Sequence, residues 1–215
     1  MPELKLSRRA RRDEGVTLIE LVITVSIIGV VTVALTGVML SYLRNTADTQ
    51  ARLTESHDVQ FAAAYWQRDV SSIGVRAKDP DPATGIYVMN QSVFQGSDHA
   101  CGSVPVDATA VGTLAWSDYA AAANNSTVEP ETVKVSYAWR GPVDDVYELL
   151  RVRCGTDPST VQIADSLAAP PVMSCVPGCT GQPRVVTLDL DVRDPSGEHN
   201  DGDYSVTLTG ERRQS

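Results

Sequence analysis

Between Leu21 and Leu43 the chain carries no charged residue, and this run of 23 residues constrains the fold more than any other feature. At about 1.5 Å per residue, a helix of that length spans the ~30 Å hydrocarbon core of a bilayer. One acid, Glu20, stands at its start. An intramembrane carboxylate costs about 3 kcal/mol or more unless a partner offsets its charge, so Glu20 requires a reason.

What precedes the run sets its orientation. Residues 1–15 hold five basic groups, Lys5, Arg8, Arg9, Arg11 and Arg12, against the three acids Glu3, Asp13 and Glu14. Positive charge flanking an apolar helix stays on the cytoplasmic side, which places the N-terminus inside and the remainder outside. A short charged segment of this kind reads as a targeting leader. An ordinary secretory signal would end in a small-residue cleavage site, and the nearest candidate, Ala34-Leu35-Thr36, falls inside an apolar run that continues to Leu43. An uncleaved signal anchor explains length and orientation but leaves Gly15 and Glu20 without a role.

The segment Gly15-Val16-Thr17-Leu18-Ile19-Glu20-Leu21-Val22-Ile23, followed by Ile27-Ile28-Gly29-Val30, resembles the N-terminal motif of type IV prepilins and pseudopilins. The resemblance implies cleavage by a membrane aspartyl peptidase between Gly15 and Val16, removal of residues 1–15, and methylation of the new amine at Val16. Val16 stands where the family usually has phenylalanine or methionine. The same resemblance implies that the mature amine and the Glu20 carboxylate pair between neighbouring subunits. In a low-dielectric bundle, opposite charges at close range offset much of the desolvation either would suffer alone. The implied partners are other pilin or pseudopilin subunits, the prepilin peptidase and an inner-membrane assembly platform. No cofactor is implied.

After the membrane segment 16–43, with its small residues Thr24, Ser26, Gly29, Thr32, Ala34, Thr36 and Gly37, residues 44–76 become amphipathic. Ala47, Ala51, Ala62, Tyr65, Trp66, Val70 and Ile73 recur at helical spacing, which predicts a continuing helix with one buried face. Trp66-Gln67-Arg68-Asp69-Val70-Ser71-Ser72-Ile73-Gly74 resembles the corresponding stretch of W-type minor pilins and J-type pseudopilins. Trp66 is expected to be a core anchor. Gly74 and the Pro- and Gly-containing stretch 79–85 end the helix.

Residues 77–215 read as a β-rich head. Strands are predicted at 86–94, 113–119, 132–139, 146–153, 184–193 and 204–212, with a hairpin turn at Gly141-Pro142-Val143-Asp144-Asp145. Strict alternation in Val186-Thr187-Leu188-Asp189-Leu190-Asp191-Val192 predicts Leu188, Leu190 and Val192 facing inward and Asp189 and Asp191 facing water. The expected fold class is α+β: a long N-terminal helix, half membrane-spanning and half amphipathic, packed on a C-terminal antiparallel sheet.

The formal net charge is −9, and without residues 1–15 it is −11, which argues against nucleic acid as a ligand. All four cysteines, Cys101, Cys154, Cys175 and Cys179, lie in the exported part, where disulfides persist. Their spacing and the absence of a nearby histidine pair disfavour zinc. Four cysteines allow three connectivities; the expected one joins Cys154 to Cys175 and Cys101 to Cys179. The loop 194–203 offers Asp194, Glu198, Asp201 and Asp203, and some pseudopilins hold calcium near this end of the chain. Its spacing is not that of an EF-hand, so a solvated turn is expected, with calcium the alternative. His57, His99 and His199 are scattered, and neither a nucleophile elbow nor a phosphate-cradling loop is present, so no enzyme is expected.

The sequence therefore predicts a minor pilin or pseudopilin, assembled through its helix into a type IV pilus-like or secretion filament, with a tip or priming role. Before assembly it would be a single-pass cytoplasmic-membrane protein with its head outside. The competing expectations are an adhesive or ligand-binding head displayed on a filament, and an uncleaved single-pass membrane protein.

Overall fold

A computed structural model describes residues 15–118, 131–155, 157–193 and 204–213. One helix, α1, spans Leu18–Ser72 and is followed by β1 (Val75–Arg76), β2 (Met89–Asn90), β3 (Val93–Gln95), β4 (Ala108–Asp118) and β5 (Glu131–Val143). Then come β6 (Val146–Cys154), β7 (Ser159–Leu167), β8 (Val172–Val176), β9 (Val185–Val192) and β10 (Tyr204–Glu211). The chain forms two compact units, Met1–Ala47 and Asp48–Ser215. This is the α+β architecture expected: a long apolar helix, then antiparallel strands.

In the second unit the larger sheet runs β10-β9-β7-β6-β5-β4-β3, with β8 also paired to β9, while β1 and β2 form a separate ribbon. The β5–β6 hairpin turns at Asp144 and Asp145, both left-handed at φ 52 and 62, between the paired residues Val143 and Val146. Two positive-φ residues give the turn whose twist matches that of the flanking strands, and Asp tolerates that conformation better than most residues. The predicted alternation of β9 holds: Val186, Leu188, Leu190 and Val192 are buried and Asp189 is exposed, while Asp191 is half-buried. Hydroxyls of Ser205 and Thr207 on β10 donate to Asp191 and Asp189, so the polar face of this pair is bonded across the strands.

Of the predicted stripe, Ala62, Trp66 and Val70 of α1 and Ile73 just beyond its end are buried against this sheet and Tyr65 is half-buried, while the side chains of Ala47 and Ala51 lie outside the described residues. Trp66 is fully buried; its indole donates to the Val186 carbonyl at 3.3 Å, and its ring meets Tyr137 edge-on at 4.9 Å. Val70 presses on Gly210 of β10 so closely that a Cβ there would lie 2.6 Å from the valine Cβ. Because the obstacle is a β-branched side chain on a helix, with little rotamer freedom, Gly210→Ala is expected to destabilise the head by about 1–3 kcal/mol. Thermal unfolding of the detergent-solubilised chain would measure it; an unchanged midpoint would mean that the helix shifts freely over β10.

Three expectations need correction. The predicted strand 86–94 is two short strands, β2 and β3, and the strand predicted at 113–119 begins at Ala108. Three strands, β1, β7 and β8, were not anticipated; β1 lies within residues 44–76, which were read as helix, whereas α1 ends at Ser72. The chain pairs with β6 along β7, touches β9 at Leu167↔Val192, and then runs along β9 as β8. Pro170 and Pro171 lie between them, and without N–H groups they cannot extend a ladder. The disulfides are Cys101–Cys154 and Cys175–Cys179, not Cys154–Cys175 and Cys101–Cys179. With β7 between β6 and β9, the end of β6 is not beside the segment that precedes β9. Cys101 instead pins its loop over Leu150 and Val152, its N–H donating to the Ser136 hydroxyl at 2.8 Å, and Cys175 bonds Cys179 across a sequence separation of only 4.

Candidate assembly site

Gly15 and Val16 precede the helix in irregular, exposed backbone. Thr17 caps it: its hydroxyl accepts from Glu20 N–H at 3.3 Å and its carbonyl accepts from Leu21 N–H at 3.1 Å. A threonine at the N-cap with an acid three residues on is the sequence signature of a capping box, and a carboxylate in the first turn is favoured by the helix dipole. The Thr17-x-x-Glu20 spacing thus starts the helix immediately after Val16. A Cβ added at Gly15 would meet nothing within 4 Å, so no contact among the described residues requires glycine there.

The span Leu18–Thr46, 29 residues long, reaches a mean hydropathy of 2.6 in an 18-residue window, and it is long and apolar enough to cross a membrane. Its large side chains stand in the open: Leu18, Ile19, Leu21, Val25, Ile27 and Val30 are all more than half exposed. Four hydroxyls between Thr24 and Thr36 bond within the helix. Thr24 donates to Glu20 O, Ser26 to Val22 O, Thr32 to Ile28 O and Thr36 to Thr32 O, at 2.7–2.8 Å. Such bonding four residues back hides polar hydrogens that hydrocarbon could not satisfy. Glu20 is left as the one acidic or basic side chain of the span from Leu18 to Leu43, with no basic partner among the described residues.

The sequence reading missed a second polar feature, in the head. Asp69, 2 % exposed, accepts two hydrogen bonds from Arg151 of β6, at 2.6 and 2.8 Å, and a third from the Tyr137 hydroxyl of β5 at 2.8 Å. The Arg151 guanidinium also lies over the Tyr65 ring, 5.0 Å from its centre. Burial, and then the Asp69 charge, push the Tyr137 hydroxyl well above its usual range. Burial disfavours the Arg151 charge, but the Asp69 hydrogen bonds and charge outweigh it and hold that group above its usual value. One signal was available: Asp69 lies three residues from Trp66, on the helix face that is buried.

The remaining candidates fall as follows. All four cysteines are disulfide-bonded. Residues 1–14, His199 and the carboxylates Asp194, Glu198, Asp201 and Asp203 lie outside the described residues. Among the described residues no group of three metal-ligating side chains converges. His57 stacks on Phe61 of α1, and His99 lies against Phe94 of β3.

A family model described as the prokaryotic N-terminal methylation motif matches residues 10–36. No curated protein and no solved structure matches the chain. The chain therefore carries the type IV prepilin-type signal, and the match spans the cap, Glu20 and most of the apolar helix.

Proposed function

We propose that this chain is a minor pilin or pseudopilin, made as a membrane-anchored prepilin and assembled by helix packing into a type IV pilus-like or secretion-type filament. The observation that carries the reading is Glu20, a carboxylate without a basic partner among the described residues, in the first turn of an exposed apolar helix inside the matched motif. Cleavage between Gly15 and Val16 creates an amine immediately before the Thr17 cap. That amine, methylated or not, supplies the charge that the Glu20 of a neighbouring subunit lacks, and the pair fixes the axial register of one helix against the next. Before assembly the basic leader keeps the N-terminus in the cytoplasm and the head outside. The peptidase, the assembly platform and other pilin subunits are the partners, and the large acidic head with its W-like segment suits a minor subunit at the tip or in priming.

An epitope-tagged chain coexpressed with a complete type IV filament machinery tests this reading. The tag is expected in filaments sheared from cells as well as in the membrane. A processed chain that stays wholly in the membrane fraction would overturn it.

A further inference from the structure

Along β5, Val135 and Tyr137 pack in the cluster that Trp66 of α1 fills, so Ser136 between them faces the other side of the sheet. That outer face is closed by the segment 97–107, which joins β3 to β4, and among the described residues its firm attachments run through Cys101. Cys101 is 4 % exposed and joins Leu150 and Val152 in a small apolar cluster separate from the one beneath α1. Its sulfur is bonded to Cys154 at the end of β6, and its N–H donates to the Ser136 hydroxyl at 2.8 Å. The backbone bonds Ala100 N–H to Ser97 O and Val104 N–H to Cys101 O, both 3.0 Å, stay within the segment. Beyond these, Val104 is half-buried on the cluster, and the Asp107–Arg140 pair, 3.9 Å apart, is exposed on both sides. Such a surface pair contributes little.

We propose that residues 97–107 form a redox-controlled strap: the Cys101–Cys154 bond holds them on the outer face of the sheet, and its reduction releases them while α1 stays seated on the inner face. The inference stands apart from the assembly reading, since it concerns only the head. None of the residues in the main cluster comes from the segment, so that cluster loses no contact when the strap leaves. Parts of a fold with few buried apolar contacts open before the rest. The chemistry is thiol–disulfide exchange with a dithiol reductant, whose thiolate attacks the sulfur of Cys154, the less buried partner. The Cys101–Cys154 bond breaks and Cys101 leaves as a thiolate. The second thiol of the reductant then attacks the mixed disulfide and frees Cys154. The reductant gives up two electrons and ends as a cyclic disulfide, and its two thiol protons pass to the two cysteines. Cys101 then keeps one neutral hydrogen bond, to Ser136, and its apolar contacts.

Hydrogen exchange of the full-length chain in detergent, with and without dithiothreitol and read by mass spectrometry, tests the strap. On reduction a peptide covering residues 97–107 is expected to lose protection about tenfold or more, while peptides covering residues 62–72 and β9 change by less than about twofold. Iodoacetamide reads the same event chemically: Cys101 is expected to be alkylated in the reduced chain as readily as Cys154, despite its burial when strapped. The second disulfide is controlled by Cys175→Ser with Cys179→Ser, which is expected to respond to reductant as the wild type does. Cys101→Ser with Cys154→Ser is expected to show the open segment without reductant; should it not fold, reduction of the Cys175→Ser, Cys179→Ser chain carries the test. The strap is overturned if reduction leaves the segment protected, if residues 62–72 and β9 lose protection with it, or if the Cys175→Ser, Cys179→Ser chain no longer responds.

Discussion

Replacing Glu20 with alanine is expected to leave the chain in the membrane but reduce its recovery in sheared filaments by about a hundredfold or more. The magnitude follows from breaking one side of a desolvated charge pair, which costs about 3–5 kcal/mol, where each 1.4 kcal/mol is a factor of ten. The amine left behind in the bundle, not the missing carboxylate, accounts for most of that loss. Glu20→Gln separates charge from shape, because it keeps the side chain's size and its place in the first helical turn. It is expected to fail nearly as badly. Quantitative immunoblotting of sheared and membrane fractions reads both variants, and normal entry of Glu20→Ala into filaments would refute the register argument. Thr17→Ala, by contrast, removes only a cap, worth about 1 kcal/mol of helix stability.

The second large effect lies in the head. Asp69→Ala leaves Arg151, 9 % exposed, as an uncompensated charge and deprives the Tyr137 hydroxyl of its acceptor. Breaking a buried pair in this way costs about 3–5 kcal/mol, and in a domain of this size that lowers the unfolding midpoint by roughly 10 °C. The double variant Asp69→Leu with Arg151→Met removes both charges while keeping the volume near its original value. Much of the stability should return, because a buried ion pair is often no better than apolar packing. Calorimetry of the three proteins checks the pattern. A loss below about 1 kcal/mol for Asp69→Ala would mean that water reaches Arg151 and that the network does not key the helix to the sheet.

These two sites differ in how far the sequence revealed them. Glu20 was legible because a membrane-length run contains no other charge up to Leu43, so its cost could be weighed without a structure. The stripe Ala62, Trp66, Val70 and Ile73 and the alternation of β9 were legible for a related reason: each buries one face, and periodicity reports which. Asp69 was hidden because an acid on an otherwise apolar helix face reads as solvated until a partner is known. Its partners, Tyr137 and Arg151, are 68 and 82 residues away along the chain. β7 was hidden because its buried positions, Ile163, Ala164, Ser166 and Leu167, do not alternate, and its pairing with β6 shifts register near Leu149. β8 buries only Met173 and exposes Val172 and Val176, so its apolar residues point the wrong way for a half-buried strand. The disulfide expectation failed as a consequence, since connectivity depends on which strand lies between the cysteines.

The central claim is that residues 10–36 are a working prepilin signal, and it turns on one bond. Intact-mass measurement after coexpression with a prepilin peptidase reads it directly. The mass is predicted to fall by that of residues 1–15, leaving a chain that begins at Val16, with or without one added methyl group. A chain that keeps residues 1–15 in the presence of active peptidase would contradict the account.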